Sequence, residues 1–375
     1  MIPQSVRPVL PDSAQARAEA ILSELEQLGA RYDAVPVFPS ESMKLLFAAG
    51  LHRDFAPIES GGHTFDDAIT RNHCLMSVLR IIGRADLSVG RLYEGHVNAL
   101  ALFDWYGTPA QKADLGAVLA QGAFYGVWAT EPQPGVKLTG HSGLQVLRNG
   151  KSFATGAGGL AFAIITAQPD AGERQLVVVP ANNADRADLS QWRVRGMRAT
   201  GSGYYDVGGM QVEPAALLGL PGEYDLEPRF TTGAWRFTAV QLGGIEALLT
   251  ETRLAMSDAA REDPLQRAKF ADAVAATRTA YLWVRECAIR AARNDADGPA
   301  FARMTRGVVE RAGLDVMELA ARITGTRSAM DGQRIDKITR DLSLYLRQGG
   351  PDYARDQAAI AWLDHDAWGA EDALW

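Results

Sequence analysis

The sequence lacks several features that would assign a function at once. Its 375 residues include only two cysteines, Cys74 and Cys287, which lie far apart without Cys-X-X-Cys spacing. This usage predicts neither a disulfide framework nor a thiolate zinc site, and it fits a reducing compartment. The six histidines show no HxxxH or HExxH spacing, so we expect no bound metal ion.

Long apolar runs and dense basic clusters are also missing. The longest apolar stretches, such as residues 159–167, are far shorter than the ~20 residues that span a bilayer. The 38 basic residues are outnumbered by 45 acidic ones, and no cluster is dense enough to neutralise a phosphate backbone. We therefore expect neither a membrane nor a nucleic acid as partner. The N-terminal residues lack an apolar signal segment, which favours the cytoplasm.

The composition and the order of sequence textures indicate three domains. Hydrophobic residues make up 47% of the chain and charged residues 22%, which is typical of a globular protein with a large core. Residues 1–121 show helical spacing, residues 122–222 form short runs rich in Val, Ile and aromatics, and residues 223–375 return to helical spacing. We predict an α+β protein with an N-terminal helical domain, a central antiparallel β-barrel or sandwich, and a C-terminal four-helix bundle.

Capping signals refine the N-terminal domain, where the apolar spacing predicts about five helices. Thr64 is the expected N-cap of the third helix. Thr108, followed by Pro109 and Gln111, predicts both a capping box and a first-turn proline for the fifth helix.

Turn signals refine the other two domains. The Asn149-Gly150 step predicts a β-hairpin, because both central positions of that turn favour positive φ. The TGAGG segment at 155–159 predicts a turn rather than a dinucleotide-binding loop, since no helix follows it. In the C-terminal domain, two or more helices should exceed about 25 residues, with a break at Gly298-Pro299.

Five regions of the chain, taken in order, resemble the acyl-CoA dehydrogenase family of flavoproteins. The match extends from about residue 66 to about residue 355. Family members combine an N-terminal helical domain, a β-domain and a four-helix bundle, so the resemblance implies the same fold. The segments that carry it are ADLSVGRLYEGH with YGTPAQKADL, ATEPQPG, GKSFATGAGGLAFAIITA, GMRATGSGYYDVGGMQV and ITGTRSAMDGQRIDKITRDLSLYL.

The resemblance implies FAD as cofactor and assigns residues to it. By position, Thr130 and Thr155 would contact the flavin, and Phe153 would pack on its isoalloxazine ring. Taken alone, the two threonines are hydroxyls at strand ends that either border a pocket or merely end strands. The family holds the FAD diphosphate partly with a neighbouring subunit, which implies a homodimer or homotetramer. The candidates on that second surface are Arg261, Arg322, Gly325 and Thr326.

The chain departs from the family at the catalytic base. In the family's dehydrogenases a glutamate removes the α-proton of an acyl thioester, usually eight residues after the Asp of an Arg-Asp motif. That count leads here from Asp341 to Gly349, which has no side chain. The alternative place near Ala234 holds no carboxylate either. Asp352 is the nearest acid, and a loop shift would be needed to bring it into the site.

A polar stripe on the predicted helix 86–105 offers another candidate. Arg91, Glu94 and Asn98 stand at i, i+3 and i+7, on one face of an otherwise apolar helix. By resemblance, Glu94 falls at the bottom of the acyl pocket, where the stripe would bind a polar or short substrate and Glu94 could act as base. The alternative is a structural ion pair between Arg91 and Glu94. We expect structural roles for His96 and for the Arg340-Asp341 pair.

Three functions follow from the resemblance. The first is an FAD-dependent dehydrogenase that acts on the CH-CH group of an acyl-CoA or related small molecule and passes electrons to an acceptor. The second is a monooxygenase of the same fold, which takes reduced flavin from a reductase, uses O₂ and needs no α-proton base. The third is a catalytically idle paralogue that serves as a binding subunit. The sequence leaves open the substrate, the electron acceptor and the number of subunits.

Overall fold

The computed structural model describes residues 13–141 and 144–363, which form a helical block, a strand block and a second helical block. The first block confirms the prediction of five α-helices within the described residues. Its members are α1 (Ala14–Ala34), α2 (Ser40–Ala48), α3 (Ala68–Ala85), α4 (Leu87–Tyr106) and α5 (Pro109–Ala120).

Capping explains where two of these helices begin. The capping box of α5 is present, with the Thr108 hydroxyl accepting from the Gln111 N–H and the Gln111 side chain accepting from the Thr108 N–H. The prediction for α3 was wrong, because its N-cap is Asp67 rather than Thr64. The Asp67 carboxylate accepts from the Thr70 N–H at 2.6 Å.

The strand block folds into two sheets. Strand β5 lies inside the larger sheet and pairs antiparallel with β6 on one side, and parallel with β1 and β2 on the other. The smaller sheet has the order β4-β8-β7. The strands are β1 (Tyr125–Trp128), β2 (Lys137–His141), β3 (Leu144–Arg148), β4 (Gly150–Ala154), β5 (Phe162–Pro169), β6 (Gln175–Pro180), β7 (Ala187–Asp188), β8 (Gly203–Asp206), β9 (Gln211–Val212) and β10 (Leu217–Leu218).

The hairpin predicted at Asn149-Gly150 is wrong. Strands β3 and β4 flank this step but belong to different sheets, and β3 pairs with β2 and β9 instead. Asn149 has φ 69°, but Gly150 does not adopt a positive φ, so the two-residue turn does not form. Gly150 is required for another reason, since a Cβ there would lie 2.4 Å from the Tyr205 carbonyl oxygen. The TGAGG segment does form the predicted turn.

The second helical block confirms the predicted long helices. Helices α9 and α10 have 30 and 27 residues, and α10 begins at Gly298, as the Gly-Pro signal indicated. The helices are α6 (Arg229–Thr232), α7 (Trp235–Ala255), α8 (Asp258–Glu262), α9 (Pro264–Arg293), α10 (Gly298–Thr324), α11 (Arg334–Tyr345) and α12 (Pro351–Trp362). Within the described ranges, no helix is long and apolar enough to cross a membrane.

Glycines let the blocks approach backbone to backbone. A Cβ on Gly83 of α3 would lie 2.4 Å from the Val240 carbonyl oxygen of α7. A Cβ on Gly196, in the strand block, would lie 2.1 Å from the Arg340 carbonyl oxygen of α11. One continuous apolar core extends through all three blocks. We keep 1–121, 122–222 and 223–375 as proposed domain bounds.

Candidate functional site

A cavity of about 920 Å³ lies where the three blocks meet. Its walls come from α4, from the strand block around β1 and β4, and from the C-terminal helices and their connecting loops. Aromatic and charged side chains dominate the lining, which includes Trp105, Tyr106, Trp128, Trp192, Tyr224, Phe230, Phe237, Tyr345 and Tyr353. A large cavity lined by aromatic rings and charged groups suits a planar organic molecule that carries polar substituents.

Linked hydroxyls lie on the strand wall of this cavity. The Thr200 hydroxyl donates to the Met197 carbonyl at 2.8 Å, and Ser202 lies within hydrogen-bond distance of both Thr200 (2.9 Å) and Thr155 (3.1 Å). A hydroxyl has a single proton to donate. When Ser202 donates to Thr155, the Thr155 proton is left to donate to a molecule in the cavity, whereas when Ser202 donates to Thr200, Thr155 can donate to Ser202 instead. Thr130 also lines this wall.

Phe153 lies on the same wall in a strained backbone conformation. Its φ is 52°, which is rare for a bulky side chain, and the register of β4 against β8 shifts next to it. The residue is 65% exposed although its side chain is apolar. An apolar ring held at a cavity wall in this way is suited to packing against a planar ligand.

The polar stripe of α4 forms another wall, next to the strand block. Arg91 makes an ion pair with Glu94, Asn98 donates to the other Glu94 oxygen, and the Nε of Arg236 donates to the Asn98 carbonyl oxygen. Glu94 is 1% exposed, so both of its oxygens are used inside the protein. Burial lowers the pKa of Arg236 to about 10, and the guanidinium therefore stays charged at neutral pH. The stripe is one continuous network from Arg91 to Arg236.

The place of the expected base is at the end of the cavity formed by α10 and the loop before α12. Gly349 lines it with φ 72°, and a Cβ there would be 3.3 Å from the Arg306 Nε. Asp352 is not among the lining residues. Its side chain is 96% exposed and pairs with Arg355.

The four residues assigned to a second subunit surface lie away from the cavity. Arg261 donates to carbonyl oxygens in its own chain, and Arg322 pairs with Glu318 on the surface of α10. Gly325 and Thr326 lie in the 3-10 turn after α10. Their flavin contact stays a prediction.

Sequence reasoning identified only Arg91 among the arginines of the site and missed the others, including Arg236 and Arg306. Arg306 occupies a position in the buried spacing of α10, between Ala302 and Val309, where an apolar residue is expected. A charged residue at a helix position where the spacing predicts burial is the sequence feature that could have marked Arg306 as a site residue.

The lining holds six arginines and two glutamates, Glu94 and Glu227, so the cavity carries positive charge although the whole chain has a net charge of -7.

The matching family is that of the acyl-CoA dehydrogenase C-terminal domain, whose sequence model covers residues 225–356. This confirms the resemblance found in the sequence. The chain has the acyl-CoA dehydrogenase-like fold, since it superposes on butyryl-CoA dehydrogenase from Megasphaera elsdenii with a TM-score of 0.78. That superposition covers 96% of this chain and 100% of the other, at 17% identity.

Monooxygenases of this fold are also similar to the chain. A dibenzothiophene monooxygenase of Rhodococcus qingshengii is 30% identical over 193 residues, which is 48% of this chain and 45% of that protein. The chain thus matches about half the length of this curated relative. FMN-bound TdsC, a dibenzothiophene monooxygenase from Paenibacillus sp. A11-2, gives a TM-score of 0.84 at 20% identity, covering 94% of this chain and 98% of the other. A likeness at this identity establishes the fold alone.

Proposed function

We propose that this protein is a flavin-dependent monooxygenase that receives reduced flavin from a separate reductase and oxygenates a small aromatic molecule with O₂. The observation that carries the proposal is the absence of a free carboxylate from the described cavity lining. Glu94 is bound by Arg91 and Asn98, Glu227 pairs with Arg303, and Gly349 stands where the base would be. Dehydrogenation of a thioester needs such a base, whereas oxygenation does not.

Neither sequence candidate is suited to α-proton abstraction. Glu94 would have to break its ion pair with Arg91 before it could accept a proton from a substrate, and the partly buried Arg91 would then lose its carboxylate partner. Asp352 would have to leave the surface and its contact with Arg355. We infer that Glu94 instead holds Asn98 and, through it, Arg236 in position.

The strand wall fits a flavin. Phe153 and Trp192 offer apolar faces to a planar ring system, and the Thr155 hydroxyl can donate to a ring nitrogen or oxygen. A bound reduced flavin would supply two electrons, so that one atom of O₂ enters the substrate and the other leaves as water. FMN is the form to test first because TdsC is described as FMN-bound, with FAD as the alternative.

The remaining lining residues define what the protein itself contributes. Aromatic side chains, among them Trp105, Tyr106 and Phe230, exclude water from the substrate and pack on its ring. Arg236 is stacked near Trp105 and fixed by Asn98, so its charge faces a defined part of the cavity. Indole is a suitable first substrate, since TdsC also forms a complex with FMN and indole.

The test supplies the protein with FMN, NADH, a flavin reductase and ¹⁸O₂, with indole or dibenzothiophene as substrate. We expect one ¹⁸O atom in the product by mass spectrometry, and no bleaching of bound flavin by butyryl-CoA without oxygen. Thr155→Val should weaken FMN binding about fivefold, since one hydrogen bond is worth about 1 kcal/mol. Thr339→Val, whose hydroxyl bonds within α11, is the control. Bleaching by the acyl-CoA would instead establish a dehydrogenase.

A further inference from the structure

Arg306 is a buried cation with unused hydrogen-bond donors. The residue is 2% exposed, and its Nη2 donates to the Leu346 carbonyl at 3.0 Å. Its Nε and Nη1 have no hydrogen-bond partner among the described residues. Polar groups buried to this extent are almost always paired, so two unused nitrogens on one guanidinium need an explanation.

The charge of the nearby acid, Glu310, raises the pKa of Arg306, but no direct ion pair joins the two residues. Glu310, one turn further along α10, accepts from Arg355. Burial lowers the pKa of Arg306 to about 10, which still leaves the guanidinium charged at neutral pH. A buried charge without a directly paired counterion is unfavourable. An anion that enters from the cavity would relieve this cost.

Arg306 borders the cavity, with its two unused nitrogens buried in the cavity wall. Arg306 and Gly349 both line the wall, and a Cβ on Gly349 would lie only 3.3 Å from the Arg306 Nε. Any larger residue at 349 would therefore approach the guanidinium. On its other side the guanidinium lies over the Phe237 ring, 5.4 Å from the ring centroid. The charged group thus adjoins both an open cavity wall and an aromatic surface.

We propose that Arg306 binds the carboxylate, or an equivalent oxyanion, of an aromatic acid, and that such acids are the substrate class of this site. The inference rests on the proposed function, because it names the substrate of the same cavity. The phosphate of the flavin is an oxyanion too, so the experiment has separate arms for the two sources.

The first arm uses the unaltered protein and a matched ligand pair. Naphthalene-2-carboxylate and naphthalene-2-carboxamide have the same ring and nearly the same shape but differ in charge. By calorimetry, with and without bound FMN, we expect the carboxylate to bind at least tenfold more tightly than the amide. Equal affinities would overturn the proposal. Binding is measured without turnover, so a failure to incorporate oxygen would reject the proposed function without affecting this result.

The second arm uses variants. Arg306→Gln should abolish the preference for the carboxylate and leave the dissociation constant of FMN within twofold of wild type. Arg303→Gln is the control for charge in general, because Arg303 lies one turn earlier on α10, lines the same cavity and is partnered by Glu227 and Thr231. It should retain the preference. If Arg306→Gln weakens FMN binding and not that of the carboxylate, the anion is the cofactor's phosphate and the proposal fails.

Discussion

His52 and His96 are two buried histidines that the cavity does not use. The Nδ1 of His96 accepts from the Tyr125 N–H at 3.1 Å, and its Nε2 lies 2.6 Å from the His52 carbonyl oxygen. His52 in turn contacts the Leu119 carbonyl through its Nε2. This agrees with the structural role expected for His96 from the sequence. Burial lowers the pKa of both rings to about 4.

These depressed pKa values predict a loss of stability in mild acid. Below about pH 6.5 the unfolded chain binds protons at His96 that the folded protein does not accept until about pH 4, so stability falls as pH falls through this window. Urea unfolding at pH 7.5 and pH 5 should show that His96→Gln loses less between the two pH values than wild type, by up to about 2 kcal/mol. His73→Gln, with an exposed ring, should behave as wild type. An unchanged pH dependence in His96→Gln would refute this.

At the scale of elements, the sequence predicted most helices because their signals are local. The capping box of α5 involves residues only three positions apart, and the apolar residues of α9 and α10 recur every three or four positions. The Asn149-Gly150 hairpin failed because the glycine serves a distant contact with β8, which no local pattern contains. The parallel pairing of β5 with β1 is likewise a contact between separate segments.

The crossing of α3 and α7 depends on a glycine whose replacement is expected to destabilise the protein. A Cβ on Gly243 would lie 2.1 Å from the Arg80 carbonyl oxygen, so Gly243→Ala must push two backbones apart. We expect a loss of about 1–3 kcal/mol in the free energy of unfolding, larger than the gain in helix propensity.

A second helical glycine provides the matched control for this measurement. Gly95 of α4 has no atom within 4 Å of an added Cβ. Gly95→Ala should therefore stabilise the protein by about 0.5–1 kcal/mol, as expected for an alanine in a helix interior. If Gly243→Ala and Gly95→Ala change the free energy of unfolding in urea by the same amount, the α3–α7 contact does not need glycine.

For the whole molecule, the site could be predicted only where it follows the family pattern or one helix face. The stripe of Arg91, Glu94 and Asn98 was visible because three residues share one face of α4. Arg236 and Arg306 were not, since they reach the cavity from α7 and α10 through the packing of the C-terminal block. Their role depends on tertiary contacts, and a charged residue in a buried helical position is the only local sign.

A buried ionic network joins the three blocks. The Lys337 ammonium on α11 lies 2.7 Å from both Asp86, the N-cap of α4, and Asp341. Asp341 also accepts from the Met197 N–H of the strand block at 2.5 Å. The neighbouring Arg340 pairs with Asp33 of α1. The Arg-Asp pair therefore has the structural role expected from the sequence.

Removing the central cation should be costly for the whole molecule. Although burial opposes a charge on Lys337, the two carboxylates raise its pKa, and burial raises the pKa of Asp341. Lys337→Met would leave two buried carboxylates without a counterion, and we expect a loss of about 3–5 kcal/mol in the free energy of unfolding. Arg311→Met, which breaks an exposed pair with Asp315, should cost at most about 0.5 kcal/mol.

The pH dependence distinguishes lost charge pairing from lost packing in this variant. In Lys337→Met the folded protein holds carboxylates of raised pKa and binds more protons than the unfolded chain as pH falls. Its deficit relative to wild type should therefore shrink between pH 8 and pH 5 in urea unfolding. A further Asp86→Asn substitution should recover part of the loss, because one unpaired charge is removed. If the deficit is the same at every pH, Lys337 acts through its packing, and the three blocks are not held together by this network.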